Sequence, residues 1–582
     1  MRRNRHSRSQ IRRPSTVMLA VGIVLVTGVL ILCGVSVVAY FLFHGQPSGP
    51  EATAVTPSVD PRDATLTIAY SPEKAALMKE LTKRFNDQRQ RTPDGRRMEV
   101  RLLELDPEEM VKQALSAPAF QALTPDSSLW LDQLDRAWAE QQGATEAGTI
   151  APTLTSERVR YAVSPVVVAM WKSVAKEMGW PDKPIGWVDI QRRAQEDPDF
   201  KWNHASTAHA SGLLATLAEF YAGAGVTRGL TEEAATAQST LDYVAAIEKT
   251  VRYYGEGELA VLAQVQKEGR RYLDAFVVQE ALLVEFNRQG GGPDGRLVAI
   301  YPKEGTLWAD HPLALLESAM LTDNRRRTFH AFSEFLLAPE SQQLVLRFGY
   351  RPADLTIPLD SPGSPLTPEN GVDPSQPQTT LQMPGPNVVE VVRNVWYYTK
   401  RKTNVYLVVD TSGSMRGDKL QAAQEALRIF LDQILSDLER VGMVEFSTEV
   451  YNILFLDELK HNRTELQQEF NKLKAGGDTA LLDAIHAAYV RLQEMDDRER
   501  INAIVVMTDG RENASNIRLR ELVREIQQGT REGVPVVIFC IAYGRDADYD
   551  TLRAIAEASG GQVRTGDPET IRELYKILSS YF

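Results

Sequence analysis

Five oxygen-bearing side chains occur in three separate loops of the carboxyl-terminal third of the chain. They are Asp410, Ser412 and Ser414 in DTSGS, Thr479 in AGGDTA, and Asp509 in VMTDG. Two carboxylates and three hydroxyls supply only oxygen, which favours a hard cation over Zn²⁺. The two carboxylates balance the charge of such an ion. One coordination position of the ion would remain open for an incoming carboxylate. The residues therefore predict a site for Mg²⁺, or for another hard divalent cation such as Mn²⁺ or Ca²⁺.

The elements around these residues predict a doubly wound α/β sheet. TNVYLVVD (403–410) and INAIVVMTDG (501–510) are continuous apolar runs that end on an acid, which is typical of buried parallel strands. Amphipathic helical stretches alternate with these and further apolar runs. Ligand sites in such folds lie at the carboxyl ends of the central strands. Gly413, Gly476 and Gly477 allow the tight turns that these loops need.

DTSGSM, GGDTAL and VVMTDG, in this order, closely resemble the motifs of the von Willebrand factor A domain. The resemblance implies a Rossmann-like domain at 388–582 with a metal-ion-dependent adhesion site. The residues that match its ligands are the same five: Asp410, Ser412, Ser414, Thr479 and Asp509. The ion of such a site would bind an acidic side chain of a protein partner.

The preceding segment, residues 64–354, also alternates strand and helix patterns, which predicts an α/β domain with a largely parallel sheet. Its length of about 290 residues favours two lobes over one. SPEKAALMKELTKRFN, SSLW and FSEFLLAPESQQLVLRFGYRP resemble the bacterial extracellular solute-binding proteins. That resemblance implies a cleft between two lobes, with the chain crossing near 160 and again near 290.

Ligands in α/β clefts contact helix N-termini and the loops at strand ends, which makes six polar residues candidates for lining this cleft: Ser71, Ser127, Ser128, Ser206, Thr207 and Tyr301. For any one of the serines and threonines, an ordinary helix cap is the simpler interpretation. His204 and His209 suggest a metal site, but no third ligand follows at a fixed spacing, and surface histidines are commoner. Trp130 and Trp308 suit either a stacking surface for a sugar or lipid or, more simply, the core.

The amino-terminal residues predict a membrane anchor. Residues 17–43 hold 22 apolar positions out of 27 and no charge, enough for a transmembrane helix. The apolar region of a cleavable signal peptide is shorter, about 7–15 residues. The basic tail at 1–16 carries six arginines, which predicts a cytoplasmic amino terminus and an extracytoplasmic body. A stalk at 44–63 and a Pro-rich linker at 355–387 complete the predicted organisation.

Charge and cysteine content narrow the function further. The formal net charge of −12 combines the basic tail with an acidic remainder, which argues against nucleic acid as a partner. The two cysteines, Cys33 and Cys540, fall in the predicted membrane span and in a predicted buried strand, so we expect no disulfide.

The sequence favours binding over catalysis, because it contains no motif for nucleotide hydrolysis, zinc proteolysis or serine-esterase chemistry. We therefore predict a membrane-anchored, extracytoplasmic binding protein that joins an acidic protein partner through Mg²⁺. The alternative is a tethered receptor for a small solute, with the adhesion domain as its docking unit. A third possibility, a subunit of a metal chelatase, conflicts with the predicted external location.

Overall fold

The computed structural model describes residues 60–143, 152–255, 257–544 and 546–579. The predicted basic tail, the apolar run at 17–43 and almost all of the stalk lie outside these residues. Within the part of the chain that is described, no helix combines the length and the apolar character needed to cross a membrane.

The first domain contains short strands and helices in alternation. Its strands are β1 Thr65–Tyr70, β2 Glu99–Glu104, β3 Ala122–Thr124, β4 Thr155–Arg160, β5 Ala162–Trp171, β6 Trp202–Asn203, β7 Ala275–Gln279, β8 Leu297–Ile300, β9 Trp308–Ala309, β10 Pro312–Leu316 and β11 Arg351–Pro352. Its α-helices span Ala75–Asp87, Pro107–Ala114, Leu129–Gln141, Lys172–Glu177, Trp187–Glu196, Ala210–Ala224, Glu232–Thr236, Gln238–Glu248, Glu258–Glu268, Glu280–Arg288, Asp323–Leu337 and Pro339–Arg347.

These strands form two sheets, one in each of the two lobes that the sequence predicts. The first lobe has the order β2-β1-β3-β10-β4, and the second has β11-β5-β7-β6 with β8 and β9 also paired to β5. Both sheets are mixed, so the prediction of a largely parallel sheet is wrong. In the first lobe β10 runs antiparallel to both β3 and β4, because it enters the sheet on the return from the second lobe.

The places where the chain passes between the lobes agree only in part with the prediction. The first crossing, between β4 and β5, lies near 160 as expected. The second lies between β9 and β10, near 310 instead of 290, because β8 and β9 still pair with β5 of the second lobe.

The Pro-rich segment at 355–385 packs against the second lobe. Leu366, Val372 and Leu381 are at most 3% exposed. The Ala299 amide donates to the Gly371 carbonyl over 2.8 Å. Three apolar side chains dispersed among prolines are enough to hold this segment down, although its composition resembles that of a flexible linker.

The second domain begins with the helix Pro386–Thr399. Its strands are β12 Thr403–Asp410, β13 Arg440–Phe446, β14 Val450–Glu458, β15 Ile501–Thr508, β16 Val536–Tyr543 and β17 Val563–Gly566. Its further α-helices span Asp418–Gln433, Leu459–Lys472, Leu481–Met495, Leu519–Glu532, Tyr549–Ser559 and Ile571–Ser579.

The strand order β14-β13-β12-β15-β16-β17 confirms the predicted doubly wound sheet. All pairings are parallel except that of the edge strand β14 with β13. Alternate residues of β12 face opposite layers: Leu407 packs with the helices at 418–433, 459–472 and 571–579, and Val408 with those at 481–495, 519–532 and 549–559. The strand order reverses between β12 and β15, so their carboxyl ends flank the crevice where such folds bind ligands.

Candidate metal centre

The ends of β12 and β15 bring the two predicted carboxylate ligands to one edge of the sheet. Asp410 is the last residue of β12, and Asp509 directly follows β15. The two strands pair in parallel register up to Val409 and Met507. Adjacent parallel strands end at the same edge, which explains why two acids 99 positions apart in the sequence become neighbours.

Hydrogen bonds connect four of the five predicted ligands. The Ser412 amide donates to Oδ1 of Asp410 over 2.7 Å, and the hydroxyls of Ser412 and Ser414 lie 3.0 Å apart. The Ser414 hydroxyl donates to Oδ1 of Asp509 over 2.6 Å. The DTSGS loop therefore folds over the sheet edge and reaches the second carboxylate.

The fifth residue, Thr479, reaches the same place from the loop before the helix at 481–495. Its amide donates to Oδ1 of Asn513 over 2.8 Å. A Cβ added to Gly510 would lie only 2.7 Å from the Thr479 hydroxyl, which places that hydroxyl beside the residue after Asp509. The structure thus brings together all five residues that the sequence singles out.

The loops that carry these residues hold one another in place. The Gly413 amide donates to the Gly477 carbonyl over 2.9 Å, and the Gly476 amide to the Thr411 carbonyl over 2.8 Å. Gly477 has a φ of +85°, and a Cβ there would collide with the Thr448 hydroxyl. Glycine is therefore required at 477 for both its backbone conformation and its packing.

The electrostatics of this cluster suit a cation. Asp410 and Asp509 are fully buried, whereas Ser414 is exposed above them. Burial raises the pKa of Asp410 and the charge of Asp509 acts in the same direction, against hydrogen bonds from Thr508 and Ser412 that lower it. Two buried carboxylates with hydroxyls beside them are the donor set of a hard divalent ion. The residues present fit Mg²⁺, which would neutralise both charges.

Two further residues contact the carboxylates and were not predicted. The Thr508 hydroxyl donates to Oδ2 of Asp410, and Lys419 forms an ion pair with Oδ2 of Asp509. Lys419 lies in the first turn of the helix at 418–433 and looks in the sequence like an ordinary solvated lysine. Thr508 is the last residue of β15, directly before Asp509. A threonine in a strand gives no specific indication of a role in a metal site.

We expect Thr508→Val to weaken Mg²⁺ binding about 10- to 100-fold, because residues that orient metal ligands typically contribute this much. The substitution keeps the shape of a buried side chain but removes the hydroxyl that orients Asp410. Titration calorimetry with MgCl₂ measures the change. Thr565→Val, at an exposed threonine of β17, serves as the control and should leave affinity unchanged. Equal affinities for the two variants would contradict this role of Thr508.

A second cavity, of about 700 Å³, lies between the lobes of the first domain. The first lobe contributes residues near the ends of β1 and β2, and the second contributes the starts of the helices at 210–224 and 258–268. Seven carboxylates line it: Glu73, Glu104, Asp106, Glu108, Glu109, Asp126 and Glu258. Burial raises the pKa of both Asp126 and Glu258 to about 8, so these two are mainly uncharged at neutral pH. The other five outnumber Lys112, which also lines the cavity, so the lining is negative overall.

None of the six residues predicted to line the cleft belongs to the lining of this cavity. Ser71 is fully buried and donates to Glu73, and the Ser127 hydroxyl accepts from the Leu129 amide as a helix-start residue. The Ser128 amide donates to Asp310, and the Tyr301 hydroxyl donates to Glu280 inside the second lobe.

The remaining candidates contact other parts of the protein. Ser206 is buried beside a smaller cavity that also contacts the second domain, and Thr207 is buried next to it. Trp130 does line the cleft, where it is 3% exposed and donates to Asp126 over 3.1 Å. His209 also lines the cleft, whereas His204 is fully buried elsewhere.

The first domain should lose stability as the pH rises, and we expect the Glu258→Gln variant to lose less than the wild type. The pKa of Glu258 is about 8 in the folded protein against an ordinary value of 4.5, so between these values the unfolded chain binds fewer protons and folding weakens. Gln279 donates twice to Glu258, and its own buried carbonyl oxygen lacks a partner, so a rotated Gln279 amide could accept from the new glutamine.

Urea unfolding at pH 5 and pH 8 tests this prediction. The variant should lose less stability than the wild type between the two pH values, by on the order of a few kcal/mol. Glu285→Gln is the control, because the Glu285 side chain, on the helix at 280–288, is 45% exposed. Parallel pH profiles for wild type and Glu258→Gln would show that Glu258 does not have the raised pKa.

The two folds and the oxygen site define a protein with a solute-binding-type domain followed by a metal-site adhesion-type domain. Comparison with known families agrees. The bacterial extracellular solute-binding protein family matches residues 66–351, and the von Willebrand factor type A domain matches 404–576. The chain therefore contains one domain of each kind, as the sequence motifs predict.

Among curated proteins, the second domain is similar to inter-alpha-trypsin inhibitor heavy chain H4 of Homo sapiens, 30% identical over 28% of this chain and 18% of that protein. Heavy chain H2 of Mesocricetus auratus is 24% identical over 30% of this chain and 19% of that protein. The chain thus spans about a fifth of the length of these relatives.

Among solved structures, the sulfate-binding protein SubI from Mycobacterium tuberculosis H37Rv is 17% identical, with a TM-score of 0.36, over 50% of this chain and 88% of that one. A von Willebrand factor type A protein from Catenulispora acidiphila is 24% identical, with a TM-score of 0.27, over 31% of this chain and 43% of that one.

Proposed function

We propose that this chain is a binding protein that captures an acidic group of a protein partner through a divalent ion, Mg²⁺ in the first instance. One observation carries the proposal: five oxygen ligands from three loops converge at the switch point of the sheet, with two buried carboxylates below and exposed Ser414 above. These residues would hold the ion from the protein side, and the exposure of Ser414 leaves the site open to a partner.

The charge balance favours a carboxylate as the group that is captured. Asp410 and Asp509 together neutralise one divalent ion, and the three hydroxyls add no charge. The ion therefore remains a Lewis acid that gains from another anionic oxygen, and a carboxylate is the side chain that supplies one. Lys419 adds positive charge beside Asp509 and favours an anionic partner in the same way.

We further propose that the body of the protein is held outside a bacterial cell membrane. The support is the apolar run at 17–43 with the arginine-rich tail before it, together with a domain of the extracellular solute-binding kind. In this arrangement the protein assembles an envelope complex or an adhesive contact, and it performs no catalysis.

Binding of acidic peptides tests the proposed capture. The full chain in detergent is immobilised and exposed to a glutamate-containing peptide library and to the same library with glutamine at those positions. We expect retention of glutamate peptides with MgCl₂ and its loss with a chelator. Retention that is equal for the glutamine library, or that survives chelation, would refute a metal-bridged carboxylate.

The acidic cleft supports a second candidate function, that of a tethered receptor for a small solute. Five carboxylates and one lysine, Lys112, around a cavity of about 700 Å³ favour a cationic solute, such as a polyamine or another organic amine, over an oxyanion. Thermal-shift measurements on the full chain with spermidine, putrescine, citrate and sulfate distinguish binding of cationic solutes from binding of anions. Stabilisation by the amines alone supports the receptor, and stabilisation by the anions alone contradicts it.

A further inference from the structure

A fully buried group of three ionisable side chains lies in the second lobe, far in sequence from the adhesion site. His204 follows β6, Glu219 lies in the helix at 210–224, and Glu248 ends the helix at 238–248. All three are 0% exposed, and one ligand atom from each lies within 4.8 Å of the other two. The sequence contains no spacing signal for the group, because its members come from three separate segments.

His204 and Glu248 are oriented as metal ligands usually are. Nδ1 of His204 lies 2.8 Å from the Ala205 carbonyl, which fixes the ring with Nε2 toward Glu248 at 3.3 Å. Glu248 accepts from the Tyr254 hydroxyl over 2.7 Å and from Nε1 of Trp396 over 2.5 Å. Metal-bound histidines typically donate their other N–H to a carbonyl or carboxylate, and metal-bound carboxylates are themselves hydrogen-bonded.

Glu219 supplies an independent sign that something is bound here. Both of its carboxyl oxygens are buried and have no hydrogen-bond partner. Leaving a buried polar group unsatisfied costs about 1–3 kcal/mol, and more when the group is charged. A proton on Glu219 removes its charge but still leaves a buried hydroxyl and a buried carbonyl without partners.

We propose that His204, Glu219 and Glu248 bind one divalent transition-metal ion, with Zn²⁺ as the first choice. A neutral imidazole and two carboxylates balance the charge of such an ion, which also satisfies the oxygens of Glu219. An imidazole ligand distinguishes this site from the all-oxygen adhesion site, since imidazole suits Zn²⁺ and its neighbours better than Mg²⁺. Because the group is closed to solvent, we assign the ion a structural role, in which a second oxygen of one of the carboxylates would supply the fourth ligand.

The site would stabilise the junction between the two domains. Trp396, which donates to Glu248, belongs to the helix at 386–399 that leads into β12. The Tyr254 hydroxyl, which donates to Glu248, also accepts from the Arg401 amide over 2.8 Å. An ion that fixes Glu248 therefore fixes two of the contacts between the second lobe and the start of the second domain.

Metal content of the full chain tests the proposal. Asp410→Asn is introduced into every sample so that the adhesion site does not contribute. After exposure to ZnCl₂ and dialysis, we expect about one zinc per chain by mass spectrometry and at least a tenfold loss in Glu219→Gln. Glu233→Gln, at an exposed glutamate of the same lobe, is the matched control and should keep its zinc.

Equal zinc in Glu219→Gln and the control would overturn the proposal, as would a parent chain that retains no zinc. Anomalous scattering at the zinc edge, from crystals of the parent chain grown with ZnCl₂, gives a test that does not depend on folding of a variant. A peak bounded by His204, Glu219 and Glu248 supports the site, and its absence overturns it.

Discussion

Asp410→Asn is expected to weaken Mg²⁺ binding by the full chain at least about 100-fold, a larger loss than that from removing a residue that only orients a ligand. The substitution removes one of the two charges that neutralise the ion. The carbonyl oxygen of the introduced amide can still accept from the Ser412 amide, and its NH₂ group can donate to the Thr508 hydroxyl after that hydroxyl rotates. The loss should therefore be specific to the metal.

Titration calorimetry with MgCl₂ and MnCl₂ measures the effect, and thermal unfolding in chelator reports the fold. Asp418→Asn is the matched control, because Asp418 is an exposed carboxylate only eight positions along the chain. We expect the control to bind as the wild type does. Wild-type affinity in Asp410→Asn, or an equal loss in both variants, would contradict the assignment of Asp410 as a ligand.

Arg351→Met is expected to destabilise the first domain by about 3–5 kcal/mol, because removing one partner of a buried ion pair leaves an uncompensated charge. Arg351 makes a bidentate pair with Glu280, with both distances 2.8 Å, and the two side chains are 8% and 0% exposed. Tyr301 also donates to Glu280. The pair connects β11 to the helix at 280–288, so its loss weakens the attachment of β11 to that helix.

A double variant distinguishes the effect of the unpaired charge from the effect of the lost packing. Adding Glu280→Gln to Arg351→Met removes the unpaired charge of Glu280 and should restore at least half of the stability that Arg351→Met loses. Arg288→Met, which breaks the exposed pair between Arg288 and Glu285, should cost about 0–1 kcal/mol. Urea unfolding followed by tryptophan fluorescence compares these variants. Equal losses for Arg351→Met and Arg288→Met would show that the buried pair does not stabilise the fold.

The five oxygen-bearing residues that meet at the edge of the second domain's sheet could be singled out from the sequence, and the residues that line the cleft of the first domain could not. Four of the five, all but Thr479, follow apolar runs whose pattern predicts buried parallel strands, and such strands end at one edge of the sheet. The same strand-end rule predicts Ser71 and Tyr301 as cleft residues of the first domain. In that domain the sheets are mixed, and β3 and β6 have only three and two residues. The end of a strand therefore does not predict the edge of the sheet at which the next residue lies.

The two kinds of domain, their order, and the five oxygen-bearing residues can be recognised from the sequence, because each depends on local periodicity or on short motifs. The acids that face the cleft, the contact of Tyr301 with Glu280, and the meeting of His204 with Glu219 and Glu248 become visible only in the folded chain. Those contacts join segments that are distant in the chain. They depend on how helices and strands pack, and no local spacing encodes that packing.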